Sequence, residues 1–334
     1  MLRCCVSYPG NDHRLGGNEA PPAIISIFLG NELTAILDSI IQGTEYVDIT
    51  KKKLTIGVDT LPEIPQDTTD RNRTSPLAFT GNKFEFRMLG SSLSISGPNI
   101  VLNTIVAEEL SEFADILEGS QDFENDLHGL IKKVISEHKR IIFNGNNYAD
   151  EWVQEAERRG LLNLKTTVDA LPYFISDKNV ELFTKHKIFT KTEIFSRYEI
   201  LMENYCKTLN IEALTMLDMT RRDVLPSVCA YIGDLSKDIV AKQQAVPGAS
   251  CDAEKTVVSR LSSLSSCLMQ KTEVLNTALL NSKNHTEVQD SANYYKDTVL
   301  TAMQELRAVA DELETLTGSS YWPYPTFGDL LFRV

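Results

Sequence analysis

The sequence is poor in the features that mark metal-thiolate, secreted and membrane-spanning proteins. Its 334 residues include six cysteines, none of them at Cys-x-x-Cys spacing. They are scattered through apolar or helical segments, so we expect free thiols rather than zinc ligands. The five histidines are equally unclustered. We find no apolar run of membrane-spanning length and no charged-then-apolar signal-peptide pattern, so we expect a cytoplasmic protein with no membrane partner.

Positive charge is also in short supply. Lys and Arg number 33 against 46 Asp and Glu, which gives a formal net charge of -13 at pH 7. Such a surface would repel the phosphates of a nucleic acid, so the composition argues against nucleic acid as a partner. A hydrophobic content of 42% in 334 residues is enough for a large core and predicts two domains.

The apolar pattern predicts a mixed segment followed by helices. Helical spacing predicts a helix over Asn31–Ile41, and alternation predicts a short strand over 54–58. Thr190 and Glu193 have the spacing of a capping box at a helix start. Beyond about residue 209, almost all of the chain is predicted to be helical. Two apolar stripes follow Pro98: Val101, Leu102, Ile105, Val106, Leu110 and Phe113, then Leu127, Leu130, Ile131, Val134 and Ile135.

Two long helices of the carboxyl-terminal part are predicted to fold back on each other. Their leucines lie close to heptad spacing, and the polar run from Asn281 to Glu287 can turn the chain between them. Such a hairpin either completes a core or presents an assembly surface, since amphipathic helices serve both purposes. The near-heptad positions are Leu261, Leu264, Leu268 and Leu275, then Leu306, Val309, Leu313 and Leu316.

The segment from Lys83 to Met88 alternates and predicts a strand with two unlike faces. Its core face carries Phe84, Phe86 and Met88, and its charged face carries Lys83, Glu85 and Arg87. Gly81 and Asn82 after Pro76–Phe79 are a turn signal, so we predict a hairpin that can bring Arg73 beside the charged face. The alternative interpretation is an amphipathic strand whose charged face is merely solvated.

A second motif lies near the start of the chain, from Gly10 to Pro22. Gly16 and Gly17 permit unusual backbone conformations, and Pro21-Pro22 fixes an extended exit. We therefore predict a loop over this whole stretch, acting as a lid over an active site. An ordinary solvated connection is the alternative.

Together the two motifs resemble the glutamine synthetase family in its long type III branch. The string Arg-Leu-Gly-x-x-Glu-Ala-Pro at 14–21 is similar to a family loop that contacts glutamate and ammonium. The resemblance implies that Arg14 binds the substrate carboxylate. It implies that Glu19 shields the intermediate and takes a proton from ammonium.

The second motif extends the resemblance. It implies that Arg73 faces the nucleotide phosphates, that Lys83 lies near the nucleotide, and that Glu85 is a metal ligand. Arg87 corresponds to an arginine close to the transferred phosphoryl group and the substrate. Many family members carry another arginine where this chain has Ala78, so the sequence departs from the family's pattern at a nucleotide contact.

The resemblance implies an ATP-dependent ligase that joins ammonium to L-glutamate through a γ-glutamyl phosphate, with Mg²⁺ or Mn²⁺. It also implies a ring-type homo-oligomer. Two alternatives stay open: a related carboxylate-amine ligase, and a helical interaction or regulatory protein without activity. Amine specificity, on which Glu19 bears directly, separates the two ligases.

The resemblance also sets the expected organisation. The fold class is α+β: residues 1–209 resemble the carboxyl-terminal part of the catalytic domain, with part of its β-sheet or barrel. Residues 210–334, ending with the Tyr-Trp-Pro-Tyr-Pro run at 321–325, resemble the helical type III extension. We find no glutamate-x-glutamate strand and no small amino-terminal β-domain, so we expect the chain to be part of a longer enzyme and inactive alone.

Overall fold

The computed structural model describes residues 1–17, 20–46, 53–54, 64–65 and 74–332. These residues are mostly helical and carry a small mixed sheet. The chain divides into two compact units, Met1–Leu201 and Met202–Val334. No helix in the described ranges is long and apolar enough to cross a bilayer.

The first unit contains all the strands that the structure describes. They are β1 Ile27–Phe28, β2 Lys53–Leu54, β3 Ile64–Pro65, β4 Leu77–Phe79 and β5 Phe84–Phe86. In the three-stranded sheet β4 is central, parallel to β1 and antiparallel to β5, and β2 pairs antiparallel with β3. The hairpin predicted from residue 76 to 88 is confirmed. Of the strand predicted over 54–58, Leu54 lies in β2 and the rest is outside the described residues.

In the first unit, helices precede, separate and follow the strands along the chain, and only helices follow β5. Those before the chain enters the second unit are α1 Pro9–Arg14, α2 Gly30–Gln42, α3 Ser96–Leu117, α4 Phe123–His138, α5 Asp150–Arg158, α6 Thr167–Ala170 and α7 Asp177–Lys185, followed by α8 Lys191–Met219. The predicted helix over Asn31–Ile41 is confirmed as α2. The predicted capping box is also confirmed, because Thr190 Oγ1 accepts from the Glu193 backbone N–H and the Glu193 carboxylate accepts from that of Thr190.

The predicted stripe on α3 behaves differently from a core stripe. Val101 is buried, but Val106 and Leu110 are 53% and 61% exposed. The helix also begins at Ser96 rather than after Pro98, since a proline is tolerated in the first turn of a helix. Apolar spacing therefore predicted the helix correctly. It did not predict which residues of the stripe on α3 are buried against the rest of the unit.

A compact apolar cluster in the first unit is built around Trp152 of α5. Its indole stacks on Phe143 with ring centroids 3.7 Å apart, and Ile24 and Ala156 are buried against it. The guanidinium of Arg159 lies 5.4 Å from the indole centroid. This cluster joins the segment leading into β1 to α5.

The second unit is built of helices joined by short non-helical segments in its described length. Its elements are a π-helical turn Thr220–Val224, α9 Leu225–Ala245, α10 Asp252–Asn281, α11 Val288–Tyr294, a π-helical turn Tyr295–Val299, α12 Leu300–Leu316 and α13 Phe327–Leu331. The predicted hairpin of two long helices is confirmed as α10 and α12, which pack on each other. The near-heptad residues Leu261, Leu268, Leu275 and Leu313 are fully buried, so these positions build a core.

All six cysteines lie among the described residues, and none of them forms a disulfide there. Burial raises the pKa of Cys5 to about 12. Cys4 donates to the carbonyl of Ala170 across the first unit. These thiols act as small packing groups.

Leu268 and Leu280 on α10 offer a matched test of the hairpin core. Leu268 is fully buried, whereas Leu280 is 59% exposed. Leu268→Ala should lower the free energy of unfolding by about 2–5 kcal/mol because it leaves a cavity. Leu280→Ala makes the same change in helix propensity and should cost about 0.5 kcal/mol or less. Urea unfolding followed by helical circular dichroism measures both, and equal costs would contradict the packing described for α10.

Candidate active site

The start of the glycine-rich motif is helical, so the loop predicted over its whole length is wrong in its first part. Residues 9–14 form α1, with Pro9 at the first helical position and Tyr8 extended before it. The ring of proline fixes a backbone angle suited to a helix start. The loop begins at Leu15, and Gly16 has a φ of +80°, where a side chain would be strained.

The two motifs meet at the carbonyl of Met88. Arg14 Nη2 donates to this oxygen at 2.8 Å, and the buried amide of Asn11 donates to it at 3.0 Å. Asn11 Oδ1 in turn accepts from Arg14 Nε at 3.0 Å. The guanidinium of Arg14 is therefore held in one orientation, directly beside the residue that follows Arg87.

A buried ion pair fixes α1 from its other side. Asp12 Oδ1 lies 2.8 Å from Arg3 Nη2, and both side chains are more than 90% buried. Asp12 also accepts from the backbone N–H of Thr167 at 2.7 Å and from its hydroxyl at 2.9 Å. Burial raises the pKa of Asp12, and the nearby Arg3 and Thr167 oppose that rise. Arg3 further donates to the carbonyl of Leu164, so the network ties α1 to the segment before α6.

The charged face of the hairpin is an ion-pair group centred on Glu85. Arg87 donates to the Glu85 carboxylate at 3.1 Å, and Lys83 Nζ lies 3.3 Å from its other oxygen. These donors, Arg87 first, lower the pKa of Glu85. The side chain of Arg87 is mostly buried, whereas that of Lys83 is 65% exposed. The predicted grouping of these three residues is therefore present in the structure.

The other face of the strand is only partly core. Met88 is fully buried, but Phe84 is 54% exposed and contacts Phe79 across the hairpin, with ring centroids 5.2 Å apart. The expectation that Phe84 belongs to the core is wrong, because it lies next to the turn at the end of the strand. Ala78, directly opposite Glu85 on β4, is fully buried.

The structure brings together four of the six predicted site residues in two neighbouring groups. Arg14 contacts Met88, and Glu85 lies in β5 with Lys83 and Arg87 directly before and after that strand. Glu19 and Arg73 lie outside the described residues. Sequence reasoning missed Asn11 and Asp12, which position Arg14 and α1. Nothing in the pattern marked them, because a buried polar group is recognisable only through partners that are distant in sequence.

A divalent metal requires more oxygen ligands than the described part of the site offers. Glu85 is one carboxylate, already paired with Arg87 and Lys83. Within the described residues no group of three His, Cys, Asp or Glu side chains is placed to hold a metal ion. Mg²⁺ takes six ligands in near-octahedral geometry. These residues alone do not fit a complete metal site.

Comparison with known proteins identifies relatives along the whole chain. A family model described as the glutamine synthetase C-terminal domain matches residues 126–243. The chain is 44% identical over 336 residues to a glutamine synthetase of Butyrivibrio fibrisolvens, covering 100% of this chain and 48% of the relative. It is 36% identical over 339 residues to a type-3 glutamine synthetase of Dictyostelium discoideum, covering 99% of this chain and 46% of the relative.

A glutamine synthetase of Bacteroides fragilis is 34% identical over 348 residues, which covers 99% of this chain and 47% of the relative. The chain thus spans about half the length of the curated relatives that it matches, and it corresponds to their carboxyl-terminal half. The family model covers α5, α6, α7 and α8 and most of α4 and α9. The Arg14 and Arg87 motifs lie before it in the sequence.

The ion pairs of Glu85 make its titration a test of the hairpin geometry. Its pKa should lie below the ordinary 4.5, because Arg87 and Lys83 donate to the ionised form. Its contribution to stability is then complete above a pH of about 4.5 and is lost as the pH falls through the lower folded-state pKa. Carbon-13 NMR titration of the Glu85 carboxyl measures this. Arg87→Gln should move the midpoint up by more than Lys83→Gln does, and an unmoved midpoint would contradict the pairing.

Removing the charge of Asp12 should destabilise the first unit. Asp12→Asn leaves the buried guanidinium of Arg3 without its counter-charge, which typically costs about 3–5 kcal/mol. Asp115→Asn on α3 removes the same charge from an exposed position and should change the free energy of unfolding by about 0.5 kcal/mol or less. Denaturant unfolding measures the free energy of unfolding of both variants. Similar small losses of stability in the two would show that the Arg3–Asp12 network contributes little.

Proposed function

Because the chain belongs to the glutamine synthetase family, we propose that it forms part of an ATP-dependent ligase that joins ammonia to L-glutamate. The observation that carries this proposal is the hydrogen bond that Arg14 donates to the Met88 carbonyl. It holds one guanidinium next to the strand that bears Arg87 and Glu85. Arginines on two segments joined in this way suit a substrate with two anionic ends, a carboxylate and a phosphorylated carboxyl group.

In this proposal Arg14 binds a carboxylate of glutamate. Its Nε and Nη2 are already engaged by Asn11 and Met88, so the guanidinium is oriented before substrate arrives and loses little freedom on binding. Arg87 contacts the phosphoryl group as it is transferred to the γ-carboxylate, where its positive charge offsets the developing negative charge. Its pairing with Glu85 holds it on the strand face.

Lys83 and Arg73 are proposed to contact the phosphates of ATP. The exposed ammonium of Lys83 is free to move toward a nucleotide, and its present partner Glu85 is on the same strand. Glu85 is proposed to supply one ligand to Mg²⁺ or Mn²⁺. The described residues do not complete a metal site, so the remaining ligands would come from elsewhere in the complete enzyme.

Glu19 is proposed to act in the second half-reaction. ATP first phosphorylates the γ-carboxylate and leaves as ADP. Glu19 then accepts a proton from ammonium, and the resulting ammonia attacks the acyl carbon. The new C–N bond forms as the C–O bond to phosphate breaks, which releases glutamine and inorganic phosphate.

The organisation of the chain completes the proposal. Residues 1–209 would belong to the catalytic domain, contributing part of its sheet or barrel, and residues 210–334 would be a type III extension. The complete enzyme would be a cytoplasmic, ring-type homo-oligomer.

A chimera tests the function. The part of the Butyrivibrio fibrisolvens glutamine synthetase that precedes the matched region would be joined to this chain, and phosphate release measured with glutamate, ammonium and ATP. We expect glutamate-dependent turnover by the chimera and none by the 334-residue chain alone. Turnover with another carboxylate but not with glutamate would favour a related ligase. An assembled, folded chimera without turnover would favour an inactive interaction protein.

Arg14 should control glutamate binding in the active chimera. Arg14→Gln should raise the KM for glutamate about tenfold or more, because a charge-assisted bond to the carboxylate is lost. The KM for ATP should change little. Arg222→Gln, which alters an exposed arginine of the second unit, is the charge-matched control. Equal effects of both substitutions on glutamate would remove Arg14 from the substrate site.

Glu19→Ala should impair turnover with ammonium more than turnover with hydroxylamine, because hydroxylamine depends less on losing a proton. The binding of ATP should stay unchanged. Parallel assays of glutamine and γ-glutamyl hydroxamate formation by the chimera measure both reactions. A loss of the same size with both amines would argue against a proton-accepting role.

A further inference from the structure

The Tyr-Trp-Pro-Tyr-Pro segment at 321–325 forms one wall of a cleft within the second unit. The cleft has a volume of about 420 Å³ and lies between the end of α8, the adjacent π-helical turn and α12. Met216, Met219 and Leu306 provide apolar surface, and Trp322 and Tyr324 close the aromatic side. This size and lining are typical of a small-molecule site.

Two tyrosine-aspartate hydrogen bonds fix the aromatic wall. The hydroxyl of Tyr324 donates to Asp223 at 2.7 Å, and that of Tyr321 donates to Asp234 at 2.7 Å. The ring of Tyr321 also packs on Tyr231, with centroids 5.0 Å apart. Burial, followed by the bond to Asp223, raises the pKa of Tyr324 to about 12. The wall is therefore preformed.

The π-helical turn Thr220–Val224 contributes to the same cleft. Thr220 and Val224 line it, and Asp223 of the same turn receives the bond from Tyr324. Single π-helical turns inside long helices interrupt regular packing and are frequent at functional sites. Here the turn supplies both cleft surface and the anchor for the opposite wall.

The charges around the cleft leave a negative excess. Arg307 and Asp311 neutralise each other as an ion pair of 3.3 Å. Glu314 is half-buried at the rim and has no ion pair or hydrogen bond from any side chain in the described ranges. Asp223 accepts from a neutral phenol, which leaves its charge in place. A cation is therefore favoured here and an anion is disfavoured.

We propose that this cleft binds a small organic cation, with its ammonium group at Glu314 and its aromatic or aliphatic body against Trp322 and the two methionines. The indole offers a broad apolar surface to such a body, and thioethers adapt to its shape. The proposal does not depend on the ligase function, since it rests on residues between Met216 and Leu330 alone.

Calorimetric titration of the full 334-residue chain tests the site with two probes of the same size and opposite charge. Phenethylammonium chloride should bind saturably and quench or shift the fluorescence of Trp322. Sodium 3-phenylpropionate should bind at least about tenfold more weakly. No saturable binding of the amine up to about 10 mM, or equal binding of the two probes, would overturn the proposal.

Matched variants locate the binding. Glu314→Gln should lower the affinity for phenethylammonium about fivefold or more, which is the loss expected for one partly buried ion pair. Glu212→Gln makes the same charge change at an exposed position on α8 that does not line the cleft and should leave the affinity unchanged. Trp322→Leu should also lower the affinity for phenethylammonium, because it removes the aromatic surface and leaves Glu314 in place. Equal affinities in Glu314→Gln and Glu212→Gln, with both melting like the parent chain, would refute the assignment.

Discussion

The hydrogen bonds that converge on the Met88 carbonyl are the constraint on which the candidate site depends. This carbonyl receives the amide of Asn11 and the guanidinium of Arg14, so it joins α1 to the strand that carries Arg87. A carbonyl can accept two such bonds and be fully satisfied. With both donors in place, the orientation of Arg14 follows from the position of the hairpin. The two motifs, 74 residues apart at this contact, are thus held together.

The Arg3–Asp12 pair makes this arrangement costly to alter. Both charges are buried, and desolvating two charges offsets much of their mutual attraction. A pair of this kind adds less to stability than an apolar pair of the same volume, but it tolerates few alternative arrangements. Asp12 contacts Arg3 and Thr167 at the same time, which fixes the position of α1 relative to these two residues. Arg14, two residues later, is positioned as a consequence.

Much of the architecture could be predicted from local patterns. The alternation at Lys83–Met88 and the turn at Gly81, whose φ is +96°, identified the hairpin. The reciprocal spacing of Thr190 and Glu193 identified the start of α8. Such features depend on a few adjacent residues and are fixed by backbone chemistry. The near-heptad leucines of α10 and α12 likewise identified a helical hairpin.

The part that could not be predicted depends on contacts between distant segments. Helix α1 has only six residues, too few for a helix to be stable by itself in water, and its glycine and asparagine favour a loop. Its conformation is retained because Asn11 and Asp12 find partners at Val6, Met88 and Thr167. Pro9 was the one local signal, and its meaning depends on whether helical residues follow it.

The apolar stripes show why periodicity identifies a helix but not its neighbour. On α10 the near-heptad positions are buried. These leucines therefore belong to a core and not to an assembly surface. On α3 the positions Val106 and Leu110 are exposed in the first unit, although their spacing is just as regular. The same pattern in sequence therefore accompanies a covered face on α10 and a partly open face on α3, and only the packing distinguishes them.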